Sequence, residues 1–404
     1  HPEYEFSLLG NDFVPTSLSI KDVSSLNLYN WSDREISKLA PSLWLGYYNV
    51  IAQCDVLLER MDNVKTSSTE EQNEKQTITA EAKTLKALCY FQLLKVFAPA
   101  YDLNPDAPGV ILKTHLGIED KQRSSIRDCV STIRGLLSDA VQMDGTSRNN
   151  GWLSKPAVQY LQADVALYSG DYETAITSGN AVIAKANDAY FTSEGISNLW
   201  AKDSYAGRIF AFNTNSTYYS NIQFSMQEGD YFCVNPKLNV GTSDLRYTSF
   251  TYPFVMNGTV RTLLGKYNRC NKLNQTTAYI NTMRYAGAYY IVAEAYCRKG
   301  ETEAARVLIN HYWHCIGVSE APVGITNQAL LELILTDKQR EFVGEGVNFF
   351  DLKRTHLASL PRYSQWGTSA SSSISSTDYR WNFPIPVSEY RFNSVEQNAG
   401  WPSN

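Results

Sequence analysis

An internal repeat constrains this chain more than any other feature. Ala163-Asp164-Val165-Ala166-Leu167-Tyr168-Ser169-Gly170-Asp171-Tyr172-Glu173-Thr174-Ala175 aligns with Ala293-Glu294-Ala295-Tyr296-Cys297-Arg298-Lys299-Gly300-Glu301-Thr302-Glu303-Ala304-Ala305 at a constant offset of 130 residues. Small, acidic, Gly, acidic and Ala positions coincide. Ala at a crossing lets two helices approach, Gly ends the first helix in a left-handed cap, and the acidic residue after it meets the positive end of the next helix. Two unrelated hairpins would have to match at several of these positions at once. A unit repeated in this way predicts stacked helical hairpins that bury one another's apolar faces.

Periodicity over the first 185 residues agrees. Leu43, Trp44, Tyr47, Ile51, Cys54, Val56, Leu57 and Leu58 form one apolar stripe, and Ala82, Leu85, Leu88, Cys89, Phe91, Leu93, Leu94 and Phe97 form another, ended by Pro99. The polar stretch Lys65 to Lys75 between them reads as a loop. Helices are expected at about Ile126 to Ala140 and Lys155 to Tyr168, the second capped by Ser154 with Pro156 in its first turn. The hairpin chemistry looks like the tetratricopeptide helix-turn-helix. The fold class is therefore mainly α, a scaffold of tetratricopeptide-like helical hairpins. Helix pairs are expected over 44–185 and 284–350. Between them, 187–281 is rich in Asn, Ser, Thr, Gly and Tyr, has short apolar runs such as Ile209-Phe210-Ala211-Phe212, and predicts an irregular insertion carrying short strands. The remainder, 351–404, reads as loops and tail. Within it the Ser-rich tract Thr368 to Thr377 predicts an exposed mobile loop, and Phe383-Pro384-Ile385-Pro386 forces extended backbone.

Composition removes several functions. Net charge is -5, with acidic and basic residues mixed along the chain, so there is no basic stripe to track nucleic acid. Apolar stretches such as Ala87 to Pro99 are broken by Gln92 and Lys95 and fall short of the ~20 residues a membrane span needs. Seven Cys without a CxxC pair argue against a zinc framework or a dense disulfide scaffold, and leave the compartment open. The chain opens His1-Pro2-Glu3 with no basic-then-apolar leader, so targeting information is expected upstream of His1.

No HExxH, GxSxG, GxxxxGK or GxGxxG pattern is present, and no cofactor is implied. His311, His314 and Cys315 share one helical face and could ligate a metal, but no acidic ligand is near in sequence and Trp313 and Ile316 suggest an ordinary packed helix. Glu341 and Glu345, one turn apart beside Arg340, read as ion-pair partners rather than an acid and base. Aromatics reach 12%, with 26 Tyr, which suits ring stacking on a half-apolar ligand as well as amphipathic helix faces.

Gln339-Arg340-Glu341-Phe342-Val343-Gly344-Glu345-Gly346-Val347-Asn348-Phe349-Phe350-Asp351-Leu352-Lys353-Arg354 resembles the signature segment of the SusD/RagB family of outer-membrane nutrient-binding lipoproteins. Glu81-Ala82-Lys83 through Pro99 is similar to the family's early helix, with Lys86 where an Arg is common. Asp244-Leu245-Arg246 with Lys266-Tyr267 resembles a mid-chain pattern, and Phe383 to Trp401 the ending. These segments occur in the family's order over most of the chain, treated as a single domain over 1–404. The resemblance implies a scaffold of about four tetratricopeptide-like helical pairs and a non-catalytic, surface-exposed outer-membrane lipoprotein that binds a glycan. Its partner would be a SusC-like TonB-dependent barrel transporter, and its membrane contact only a lipid on an upstream Cys. Binding of peptides or proteins by the helical array is the alternative. The resemblance also implies ligand contacts from the loop before the first repeat helix, with Tyr29, Asn30 and Trp31, and from the insertion, with Trp200, Tyr218, Tyr219 and Tyr231. The signature helix reads as structural, with Arg340, Glu341 and Glu345 tying the last repeat to the Asp351 turn.

Overall fold

The computed structural model describes residues 2–113, 115–117, 119–142, 153–202, 204–213, 231–256, 258–267, 279–364 and 369–403. Two short helices, α1 (Pro2–Leu9) and α2 (Val23–Tyr29), precede the scaffold. The scaffold begins with α3 (Asp33–Met61), α4 (Thr69–Phe97), α5 (Ile126–Ala140), α6 (Lys155–Tyr168) and α7 (Tyr172–Ile183). After α8 (Ser193–Ala201) and α9 (Arg246–Ser249), which belong to the insertion, it resumes with α10 (Tyr285–Arg298), α11 (Thr302–Ile316) and α12 (Asn327–Glu341). Each of these eight scaffold helices packs on the next, and α7 packs directly on α10 across the insertion. The two repeat turns join α6 to α7 and α10 to α11 as successive hairpins of this array. The short α13 (Asn348–Arg354) and α14 (Val387–Phe392) are the remaining α-helices among the described residues. Among the described residues no helix is long and apolar enough to cross a membrane.

The two copies of the repeat close in the same way. Gly170 has φ +78° and Gly300 has φ +79°. After each glycine the next amide reaches back five residues, Asp171 N to Ala166 O and Glu301 N to Tyr296 O, both at 2.9 Å. This is the left-handed capping motif that glycine favours, because a side chain there meets the following carbonyl.

The strands of the described residues pair as two-stranded antiparallel ribbons: β1 (Phe13–Pro15) with β3 (Phe232–Val234), β2 (Arg208–Asn213) with β6 (Tyr279–Arg284), β4 (Thr251–Met256) with β5 (Thr259–Leu264), and β7 (Ser359–Tyr363) with β8 (Ala370–Ser375). The insertion thus leaves the scaffold along β2 and returns along β6. Its helices α8 and α9 are too short for periodicity to reveal.

Two expectations are corrected. Part of the polar stretch Lys65 to Lys75 is helical, because α4 starts at Thr69 with Ser68 Oγ accepting from Glu71 N and Glu71 Oε2 accepting from Ser67 N. The capping chemistry outweighs the missing apolar stripe, and those first turns stay in solvent. The Ser-rich tract contains β8. Its side chains are exposed except Ile374, which is buried opposite buried Leu360, so one apolar contact and the backbone ladder suffice to order it.

Six described cysteines are free thiols: Cys54, Cys89, Cys129, Cys233 and Cys297 are buried, and Cys315 is half-buried.

Candidate functional site: a polar cleft beside the last helices

The segments that carry the family resemblance meet in a buried ion network. Arg246 Nη2 donates to Asp244 Oδ2 (2.8 Å) and Asp337 Oδ1 (2.7 Å), and its Nη1 to Glu341 Oε2 (3.3 Å). Arg284 donates to Glu341 Oε1 (2.8 Å) and Glu345 Oε1 (2.9 Å), and Lys266 Nζ to Glu345 Oε1 (2.6 Å) and the Glu341 carbonyl (2.7 Å). Burial pushes the Asp337 and Glu341 carboxyls up, but the adjacent guanidiniums hold both below the usual carboxylate range. Both carboxylates are thus held ionised by their partners, and the network pins the insertion's flanks to α12. The structural reading of the signature helix stands, with a change of partners: Asp351 pairs with Lys338 (2.8 Å) and Arg354 (2.7 Å), whereas Glu341 and Glu345 reach back to Arg246, Lys266 and Arg284.

The rings expected to stack on ligand are mostly interior. Tyr29 and Trp31 are 0% exposed and Trp200 is 2% exposed. Tyr29 lies under the Arg362 guanidinium, 4.3 Å from its ring centre, and accepts from Tyr363 N. Trp31 donates from Nε1 to Leu9 O (2.9 Å) and meets Trp381 edge to face at 4.6 Å. Trp200 packs on Phe250 at 5.6 Å. No ring face of these three is open to a ligand, so they are corrected to packing residues. Asn30 is exposed, with its Nδ2 on Leu26 O (3.0 Å). Tyr231 is half-buried, and its carbonyl accepts from Thr16 N. Tyr218 and Tyr219 lie outside the described residues.

Trp31 buttresses the wall of a different feature. A cleft of ≈ 380 Å³ is lined where the segment after α4, the end of α13, the turn around Tyr379 and the C-terminal segment converge. Leu103, Lys353, His356, Tyr379, Trp381, Asn382 and Asn398 all contribute. Trp31 packs behind Trp381, and its carbonyl accepts from Arg380 Nη1 (2.7 Å). The floor is braced by Arg123, which donates to Asn398 Oδ1 (2.8 Å), while Asn398 Nδ2 donates to Phe97 O (2.7 Å).

Three features give this cleft chemical capacity. His356 takes the position after α13 with φ +56°, a left-handed conformation rare outside glycine, and its Nε2 bonds the exposed Asp102 carboxylate at 2.8 Å. A strained residue held at a cleft by a charged partner is a common mark of a binding site. Lys353 donates to the carbonyls of Lys95 and Ala98, both at 2.7 Å, at the end of α4, and burial lowers its ammonium pKa to about 7. Asn382 lines the cleft, and its Oδ1 is buried with no hydrogen-bond partner among the described residues. Leu103, 64% exposed at the rim, adds an apolar surface.

The sequence held little trace of this arrangement. Asp102 and His356 are 254 residues apart, and neither carries a motif. The available signal was the polar segment after Pro99, directly beyond a strongly periodic helix. Apart from the cleft, Asp188, His311 and Cys315 are the described residues that converge in a geometry able to hold a metal.

Helical hairpins stacked around an insertion, with a cleft built from loops, define a helical-repeat scaffold. The SusD family model matches residues 141–401, and a second model, described as starch-binding associating with outer membrane, matches residues 2–169. This chain belongs to the SusD family. The fold is similar to that of a SusD superfamily protein from Bacteroides vulgatus, 20% identical with TM-score 0.80, over 100% of this chain and 94% of that one. A SusD superfamily protein from Bacteroides thetaiotaomicron is 21% identical with TM-score 0.77, over 98% and 94%. A SusD-like carbohydrate binding protein from Bacteroides vulgatus is 20% identical with TM-score 0.72, over 90% and 79%. Comparison with curated proteins returned no match.

Proposed function

We propose that this protein captures a glycan in the cleft lined by Leu103, His356 and Asn382, leaves it chemically unchanged, and delivers it to a TonB-dependent barrel of the outer membrane. The carrying observation is the cleft itself, ≈ 380 Å³ and of ligand size, with Lys353, His356, Tyr379, Trp381, Asn382 and Asn398 in its lining. A sugar offers hydroxyls for the polar lining residues and a C–H face for Leu103. Support comes also from the starch-binding description of the matching family model and from the similar fold described as carbohydrate binding. Outer-membrane association is proposed on the same description, with a surface location held by a lipid on a Cys upstream of His1. Tyr218 and Tyr219 are proposed as a further contact from the insertion.

The test is calorimetric titration of a panel of neutral oligosaccharides, with a peptide panel beside it. Asp102→Ala, which removes the partner of His356, and Leu103→Asp should each weaken glycan binding about tenfold, the size of one lost hydrogen bond or apolar contact, at an unchanged melting temperature. A loss seen only in Tyr218→Ala and Tyr219→Ala moves the site to the insertion. Binding of peptides in place of glycans overturns the reading.

A further inference from the structure

Metal-binding side chains from two distant elements meet on α11. His311 and Cys315 are one helical turn apart and project from the same face. Against that face lies the 3-10 turn Asp188–Phe191, held by Phe191, whose ring packs edge-on against Tyr312 at 5.0 Å and Tyr289 at 5.7 Å. This packing carries Asp188 over the helix, where its Oδ1 is 2.9 Å from His311 Nε2. The donor atoms of Asp188, His311 and Cys315 all lie within 4.8 Å of one another. Tyr289 stacks on the imidazole at 6.1 Å with an interplanar angle of 17°, which fixes the ring's orientation. His314, the other histidine of the sequence pattern, turns away to Glu320 at 3.2 Å. The acidic donor missing from the local sequence is thus supplied from 123 residues away.

We infer that Asp188, His311 and Cys315 form a binding site for a divalent transition-metal ion, zinc by its donor set, with a fourth position open to water. One thiolate, one imidazole and one carboxylate favour zinc over magnesium or calcium, which take oxygen donors. Metal–ligand bonds of about 2.0–2.3 Å in a tetrahedron place neighbouring donors roughly 3.2–3.8 Å apart, so side-chain movements of about 1 Å close the site. The side chains of Asp188 and His311 are 63% and 51% exposed, so the ion reaches them from solvent. The free Cys315 thiol carries a proton. Binding replaces that proton: the S–H bond breaks, a sulfur–metal bond forms, and one proton passes to the buffer. The ion would staple the turn where the insertion begins to a helix of the last repeats.

The experiment is titration of tag-free, reduced protein with Co²⁺ as a spectroscopic stand-in for zinc. One equivalent should give tetrahedral ligand-field bands with a thiolate-to-cobalt charge-transfer band, and Zn²⁺ should displace both. Cys315→Ser should abolish the charge-transfer band, and His311→Ala and Asp188→Asn should each weaken binding at least tenfold. Zinc should raise the melting temperature of the parent and leave that of Cys315→Ser unmoved. Absence of the thiolate band in the parent, or its persistence in Cys315→Ser, overturns the site. If Cys315→Ser fails to fold, undiminished cobalt affinity in folded His311→Ala does so equally.

Discussion

Asp351 shows what the interior asks of a charged side chain here. Burial opposes its ionisation, yet Lys338 at 2.8 Å and Arg354 at 2.7 Å hold its pKa at about 2, below the ordinary 3.8. A carboxyl with a depressed folded-state pKa stabilises the fold above the unfolded value and loses that contribution as acid protonates it. The shift corresponds to about 2 kcal/mol, present at neutrality and lost between about pH 4 and pH 2. Urea unfolding should find Asp351→Asn destabilised at pH 7, with the gap to the parent narrowing through that acid window. A constant gap would remove the ion pairs as its cause. At this scale the sequence spoke clearly about Glu341 and Glu345 as ion-pair partners and misled about Trp31 and Trp200. Polar flanks identify a loop, but a large ring inside a loop often anchors it, and composition cannot tell an anchor from a platform.

The turns between repeat helices separate two costs that usually come together. Gly170 and Gly300 share the same left-handed φ, and a Cβ added at either meets no atom within 4 Å. Alanine there should cost only the backbone strain, about 1 kcal/mol and nearly equal at the two sites. Gly317, at the end of α11 with φ +75°, differs because its added Cβ would lie 2.2 Å from the Ser243 carbonyl. Gly317→Ala should therefore be clearly worse than the other two by denaturant midpoint, and a ranking with Gly317→Ala mildest would refute the steric argument. Hairpin elements were legible because a repeat states the same local rule twice. The start of α4 and the strand β8 were not, since one rests on capping hydrogen bonds and the other on a ladder anchored by Ile374. Neither leaves a periodic apolar trace.

For the molecule as a whole, the ordered family-like segments were readable because they hold the fold together. Asp244, Arg246, Lys266, Glu341 and Glu345 come from separated stretches and close one network. Asp12 extends the pinning to the N-terminal side, accepting from Gly344 N and Asn348 Nδ2, both at 2.7 Å. The cleft was hard to read because its walls are loop residues whose neighbours exist only after folding. One more property follows from the interior thiols. Cys54, Cys129, Cys233 and Cys297 have pKa values pushed by burial to about 11, and Cys89 to about 12, so in the native state they are both shielded and protonated. An alkylating reagent can reach them only when the surrounding helices or strands open. They lie on α3, α4, α5, β3 and α10, so mass-resolved labelling over time gives the chain a built-in clock for each region. Uniform rates across the five would mean global opening, whereas faster labelling of Cys233 would mean that the β1–β3 ribbon breathes independently of the helical stack.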